Sequence, residues 1–410
     1  MWKMTHNLKV WELLEEIYNN EEENFKIDRE DKGRINIIVD SIDSQKAVAT
    51  ALITSLVKKL LNPEQDVRFH KVDFGKPEWD RKGYSARTFD THYITPWMKK
   101  RFRRWAMKES AWLTRSIEQP HPFTLNFPGH IKKKEVKTAF LGILNKLEED
   151  IKNTNNQKMY AYELLKYVIF KMKNKYNQQM KIISFEVLKD SRKKRHLTIQ
   201  HIIDALDFYF TINFKQKQGV SYLPVVAIYS LLQVVMPYIE RYEGKRLDEL
   251  KPHTASDRTS FTLGDIEIFN EDGSRFEVFD IKHNIVLKKD DVEDVIFKIE
   301  KSGELKLERY YILTTAKPEI DHNEVEKIKF ICEKFLQEKG IEIIPNAVIL
   351  TIKYFLRLIE NPEKFIKTFT SNLRKSFQEE SVIKEEHIKK WKQILHKFGF
   401  EVEEGANRRI

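Results

Sequence analysis

Between Gly264 and Lys282 the chain reads GDIEIFNEDGSRFEVFDIK, and this stretch limits the fold more than any other. Ile266 and Ile268 alternate with Asp265 and Glu267, the period of a half-buried strand. Asn270-Glu271-Asp272-Gly273 supplies turn chemistry. A second strand is expected over Phe276 to Lys282, ending in Asp280-Ile281-Lys282. Period-2 geometry puts Asp280 and Lys282 on one face and Glu277 and His283 on the other. By the same parity Asp265 and Glu267 share a face of the first strand.

Two acids and a lysine on neighbouring strands make a chemical proposal. Asp265 and Asp280 can share Mg²⁺, a hard cation that takes oxygen ligands, with the backbone carbonyl of Ile281 as a further oxygen. Glu267 is the candidate accessory ligand. A metal-bound water is a better nucleophile, and the metal offsets charge that develops on a phosphate. Lys282 can orient that water, deprotonate it, or stabilise the transition state. An acid, a gap and a D-x-K triplet also fit an exposed hairpin whose charges face water.

The surroundings argue against that alternative. Upstream lies an apolar helix from about Ser221 to Tyr242, with Pro224 tolerated in its first turn and Pro237 expected to kink or end it. Downstream the pattern predicts a helix over about Asp290 to Lys301 and a strand over Arg309 to Thr315. A helix over about Asn323 to Lys339 and a strand over Ile341 to Ile344 follow. A solvated hairpin needs no such scaffold.

The Asp265…Asp280-x-Lys282 pattern in this element order resembles the PD-(D/E)xK nuclease superfamily, with Gly264 where the family name has proline. Longer blocks, KGYSARTFDTHYITPW, ESAWLTRSIEQPHPF, GVSYLP, RYEGKRL, HTASDRTSFTLGDIEIF, FDIKH and RYYILTT, resemble bacterial type II restriction endonucleases of a SacI-like group. The likeness spans about Lys82 to Thr315. It implies an α/β fold with a PD-(D/E)xK restriction-endonuclease-like core, a mixed sheet flanked by helices, plus additional helical regions. It implies Mg²⁺-dependent, sequence-specific cleavage of double-stranded DNA, with Mn²⁺ able to substitute. Asp265, Asp280 and Lys282 would be catalytic. It further implies a homodimer and pairing with a protecting DNA methyltransferase. An acid from the apolar helix approaches the metal in several such enzymes, which makes Glu243 a candidate beside the site. A repair or junction nuclease of the same fold, or an inactive nuclease-like DNA-binding protein, are the alternatives.

Composition agrees in outline. The 410 residues carry a net charge of +10, which favours a polyanionic partner. One cysteine, Cys332, excludes an intrachain disulfide framework and a cysteine-based zinc site, and reads as a buried small hydrophobe of a cytoplasmic protein. No apolar run reaches the ~20 residues of a membrane span.

Four regions are expected. Residues 1–133 read as an α/β region with candidate DNA-contacting loops. Ile35 to Val39 is its strand candidate, and Ser44 to Leu61 a helix stopped by Asn62-Pro63. Asp40 and Asp43 are expected as caps, with facing a ligand as the alternative. In RKGYSARTFDTHYITP, Gly83 allows a close approach, and Lys82, Tyr84, Ser85 and Arg87 are candidate DNA contacts; a pairing of Arg87 with Asp90 is the alternative. KKRFRR, Lys99 to Arg104, can track phosphates or form a solvated helix face. Arg115 and Ser116 are further candidate contacts. Residues 134–220 read as a helical subdomain, with a basic loop from Ser191 to His196 and a helix over Thr198 to Phe210 that begins after a cap. Residues 221–345 read as the nuclease core. There the polar stretch His253 to Thr262 offers Ser256, Arg258, Thr259 and Ser260 to phosphates. Residues 346–410 read as a helical extension whose Ile366, Phe369 and Leu373 must bury, ending in disorder from Glu401.

Overall fold

The computed structural model describes residues 2–72, 83–151, 153–187, 198–250, 262–303, 306–379 and 382–404. The chain folds as two units, residues 1–180 and 181–410, so the stretch expected as one subdomain over 134–220 is divided between them. Lys82, the basic loop Ser191 to His196, and Ser256, Arg258, Thr259 and Ser260 lie outside the described residues.

In the first unit every described element is a helix, which corrects the α/β expectation for residues 1–133. Ile35 to Val39 belongs to the helix Arg29–Asp40, not to a strand. The reason lies in spacing and capping. Ile35, Ile38, Val39 and Ile42 are buried at intervals of three and four, while Asp28 accepts the Asp31 N–H at 2.9 Å as the N-cap. That helix packs on Lys134–Asn145, and the helix Ile42–Leu61 buries 15 of its 20 residues. Asp43 is no cap: its carboxylate accepts from Arg104 Nε and Trp105 Nε1, both at 3.0 Å.

That contact also settles much of the KKRFRR run. Arg104 is 1 % exposed, Arg101 is paired with Glu15, and Lys99 Nζ donates to the Lys108 carbonyl. Arg101 and Arg104 thus hold the fold together, while Lys99, Lys100 and Arg103 are exposed.

The second unit is built on a five-stranded mixed sheet of order β2-β3-β4-β5-β6. Its strands are β2 (Arg246–Leu247), β3 (Ile266–Phe269), β4 (Arg275–Lys282), β5 (Arg309–Thr314) and β6 (Glu342–Ala347). β2, β3 and β4 run antiparallel; β4, β5 and β6 run parallel. The parallel pairs need crossovers, and the helices Lys289–Ser302 and Val325–Lys339 supply them. Their Val292, Val295, Ile299, Ile328 and Phe335 pack with Val278, Tyr310, Ile312 and Ile343 of the sheet.

The apolar helix runs over Tyr222–Val235 and stops before Pro237, which sits in a 3₁₀ turn. It packs against the helix Glu363–Glu379, which buries Ile366, Phe369 and Leu373. Asn372 Nδ2 ties the pair by donating to Ser230 Oγ at 2.8 Å. The C-terminal segment is ordered further than expected. β7 (Val402–Glu404) pairs antiparallel with β1 (Phe185–Val187). Cys332 is half-buried, and burial pushes its thiol up to about 11. Among the described residues no helix is long and apolar enough to cross a membrane.

Candidate active site

β4 carries two buried acids on opposite faces. In register, Val278 faces Tyr310 and Asp280 faces Ile312, so these share one face; Glu277 with Arg309, and Phe279 with Tyr311, share the other. The rings of Phe279 and Tyr311 stack with centroids 4.4 Å apart. Glu277 is fully buried and has its own partners. It accepts from Arg241 Nε at 3.0 Å, Arg241 Nη2 at 2.8 Å and Tyr242 Oη at 2.8 Å. Burial pushes its carboxyl up from the usual range despite these donors. Glu277 is a structural ion cluster on the far face, as strand parity predicts.

On the near face the structure brings Asp265, Asp280 and Lys282 together. Asp265 ends the approach to β3. Its N–H donates to the Phe279 carbonyl at 2.9 Å, and its Oδ2 accepts the Ile281 N–H at 2.8 Å. In a strand the N–H and C=O of one residue point to the same edge, so the Ile281 carbonyl is presented on the side of Asp265. Asp280 is 8 % exposed. Lys282 Nζ lies 3.0 Å from Asp280 Oδ2, yet that buried oxygen receives no well-directed hydrogen bond from the described residues. Burial disfavours the Lys282 ammonium, but Asp280 first, then Asp265 and Asp291, outweigh it and raise its pKa above the usual lysine value. Asp280, Asp265 and Glu267 also reinforce the upward shift that burial imposes on Tyr310.

Two carboxylates and a strand-edge carbonyl, with one buried carboxylate oxygen short of donors, fit a hard divalent cation. Among the described residues no group of three or more His, Cys, Asp or Glu side chains converges to hold a metal. A cation here would draw on the Asp265–Asp280 pair, backbone oxygen and water.

Glu267 lies on the same face but is engaged elsewhere. It is 2 % exposed, and its Oε1 accepts the Leu263 N–H and Arg275 Nε, each at 2.8 Å. Glu243 is not beside Asp265. It lines a cavity of about 750 Å³ with Asn270, Glu271 and Asp272, at the turn end of the hairpin, whereas Asp280 and Lys282 stand at the other end of β4. The residue that sequence reasoning missed is Tyr310, whose hydroxyl donates to the Leu263 carbonyl at 2.7 Å. Its place in the RYYILTT strand, two residues before Ile312, was the available signal.

The candidate DNA contacts of the first unit divide by exposure. Ser85, Arg87 and Arg115 are exposed and Ser116 is half-buried. Tyr84 is buried, under the Lys58 ammonium at 5.4 Å from its ring, and does not offer a nucleic-acid contact. Arg87 does not depend on Asp90, whose buried carboxylate accepts from Thr95, Ser110 and the Ala111 N–H. Gly83 does permit a close approach, but to its own chain. A Cβ there would lie 1.6 Å from the Lys71 carbonyl oxygen. Neither a family model nor a curated protein sequence matches this chain, so the residues themselves carry the functional argument.

Proposed function

We propose that this protein is a Mg²⁺-dependent endonuclease that cuts double-stranded DNA at specific sequences, on a PD-(D/E)xK core of the type II restriction kind. The observation that carries the reading is the convergence of Asp265, Asp280 and Lys282 at one end of a mixed sheet. The element order around it, antiparallel hairpin, helix, parallel strand, helix, parallel strand, supports the same core. The restriction-enzyme assignment rests on the resemblance of the sequence blocks.

Asp265, Asp280 and the Ile281 carbonyl would hold the cation. Mg²⁺ held there would lower the pKa of a bound water and offset charge on the phosphate. Lys282, 3.0 Å from Asp280, is placed to direct the attacking water, to take its proton, or to stabilise charge in the transition state. In-line attack on the phosphodiester leaves a 5′-phosphate and a 3′-hydroxyl. Ser85, Arg87, Arg115 and Ser116 are proposed to touch DNA. Cutting both strands of a palindrome calls for two copies of the site, hence a homodimer, and a partner methyltransferase would protect host DNA.

The test is incubation of the purified protein with phage DNA in Mg²⁺, in Mn²⁺ and in EDTA. Discrete fragments only with metal are expected. A smear would replace sequence specificity with a general or structure-selective nuclease, and DNA binding without cutting would replace catalysis with a binding role.

A further inference from the structure

The segment that delivers Asp265 is fastened at every step. Glu267 Oε1 accepts the Leu263 N–H at 2.8 Å. Tyr310, fully buried on β5, donates its hydroxyl to the Leu263 carbonyl at 2.7 Å. Both polar groups of Leu263 are thus held by buried side chains of the sheet. Gly264 follows, pressed so close to β4 that a Cβ would lie 2.5 Å from Val278 Cγ1 and 2.7 Å from the Phe279 carbonyl oxygen. Asp265 is then tied by its N–H to Phe279 and by its Oδ2 to Ile281.

We infer that Tyr310 and Glu267 are positioning residues: they clamp the Leu263 peptide groups and so fix the Asp265 carboxylate for metal binding. This rests on the metal site proposed above and assigns Glu267 a different part from that of a ligand. The physical reason is reach. Asp has one short side chain, so its oxygens go where its backbone goes, and the backbone here enters from a segment that precedes the strand ladder. Without the clamp, the segment ahead of Asp265 loses both side-chain anchors of the Leu263 peptide groups, and the Ile281 N–H competes with the cation for the Asp265 carboxylate. Glu267 is well placed to clamp because Arg275 Nε neutralises it from the neighbouring strand at 2.8 Å. Tyr310 is well placed because burial and the surrounding acids keep its phenol protonated and able to donate.

The experiment is Mn²⁺ titration of the full chain without DNA, read by electron paramagnetic resonance, with circular dichroism and thermal melting alongside. Four proteins are compared: wild type, Asp265→Asn, Tyr310→Phe and Glu267→Gln. Asp265→Asn is expected to lose binding. Tyr310→Phe is expected to bind about 10–100-fold more weakly at unchanged secondary structure, the loss typical of removing a group that orients a metal ligand. Glu267→Gln keeps an oxygen acceptor for the Leu263 N–H and should bind close to wild type. Where Tyr310→Phe melts too low to assay, Glu267→Ala, which frees the Leu263 N–H, should show the same weakening. Two results overturn the inference while leaving the proposed function intact: Tyr310→Phe binding as tightly as wild type, or Glu267→Gln losing binding as fully as Asp265→Asn, which would make Glu267 a ligand. Wild type that binds no Mn²⁺, or Asp265→Asn that binds normally, would overturn the metal site itself.

Discussion

Removing Arg241 should strand the charge of Glu277. The Glu277 side chain is fully buried, and Arg241 supplies two of its hydrogen bonds, at 3.0 and 2.8 Å. Breaking a buried pair by deleting one partner costs about 3–5 kcal/mol in full. The loss here should be smaller. The Arg241 side chain is 30 % exposed, so water already screens it; Tyr242 Oη still donates, and Arg309 Nη1 stays at 3.7 Å. We expect Arg241→Ala to cost about 2–3 kcal/mol, within the range for hydrogen bonds to a charged group. For a unit of this size that lowers its melting temperature by about 4–12 °C. The deficit should depend on pH. Burial raises the Glu277 carboxyl above its unfolded value of 4.5, so the native state binds the extra proton in that window and stability falls as pH rises through it. Arg241→Ala raises the carboxyl further, so the deficit should be larger at alkaline than at mildly acidic pH. Differential scanning fluorimetry across pH reads both effects. The double variant Arg241→Ala/Glu277→Gln, which buries no unpaired charge, should recover part of the loss. A melting temperature unchanged in Arg241→Ala, or a deficit that shrinks as pH rises, would refute the reasoning.

Three further outcomes follow from the first unit. Arg104→Ala should destabilise by about 2–3 kcal/mol, because Asp43 loses a buried partner but is 27 % exposed and keeps Trp105 and Gln179 as donors, while DNA affinity at a temperature where the variant is folded stays unchanged; thermal melting and a gel-shift titration check this. His70 should stay neutral and not titrate by NMR between pH 8 and 5, since burial depresses it to about 3 while its Nε2 faces the His121 carbonyl at 2.9 Å and its Nδ1 accepts from Trp112 Nε1. Its folded value lies below the unfolded 6.5, so stability present above pH 6.5 is lost as pH falls toward 3. Gly83→Ala should cost at least the 1–3 kcal/mol or so of an overpacked site, because its Cβ meets the backbone of Lys71 and no flexible side chain can yield; a chemical melt measures it.

The hairpin was legible because period 2 is a local property. Alternation alone placed Asp280 and Lys282 on one face and Glu277 on the other, and the structure keeps that division. Helix ends were legible where Pro237 and Asn62 stop a helix; Thr198, expected as the first helical residue, is instead the cap of the helix that starts at Ile199. Partners were not. Arg241 meets Glu277 from 36 residues away, and Tyr310 meets Leu263 from 47, distances at which no sequence pattern operates. Glu267 reads as an accessory ligand in sequence, yet Leu263 and Arg275, four and eight residues away, take its oxygen, because residue type alone does not say which neighbour an acid meets. KKRFRR reads as a phosphate track until Glu15 and Asp43 arrive from other helices. The short apolar run Ile35 to Val39 fits either period, and only its packing against Lys134–Asn145 decides for the helix. Candidate DNA contacts were chosen by residue type, which says nothing of exposure. Hence Tyr84 is buried while Arg87 is open to solvent.

The central claim is that Asp280 and Lys282 perform metal-dependent cleavage from one face of β4. The most direct measurement is single-turnover cleavage of phage DNA in Mg²⁺ by wild type, Asp280→Ala and Lys282→Ala, with circular dichroism and DNA binding recorded for each. Discrete fragments are expected from wild type alone, with both variants folding and binding DNA but not cutting. Either variant cutting at near the wild-type rate would contradict it.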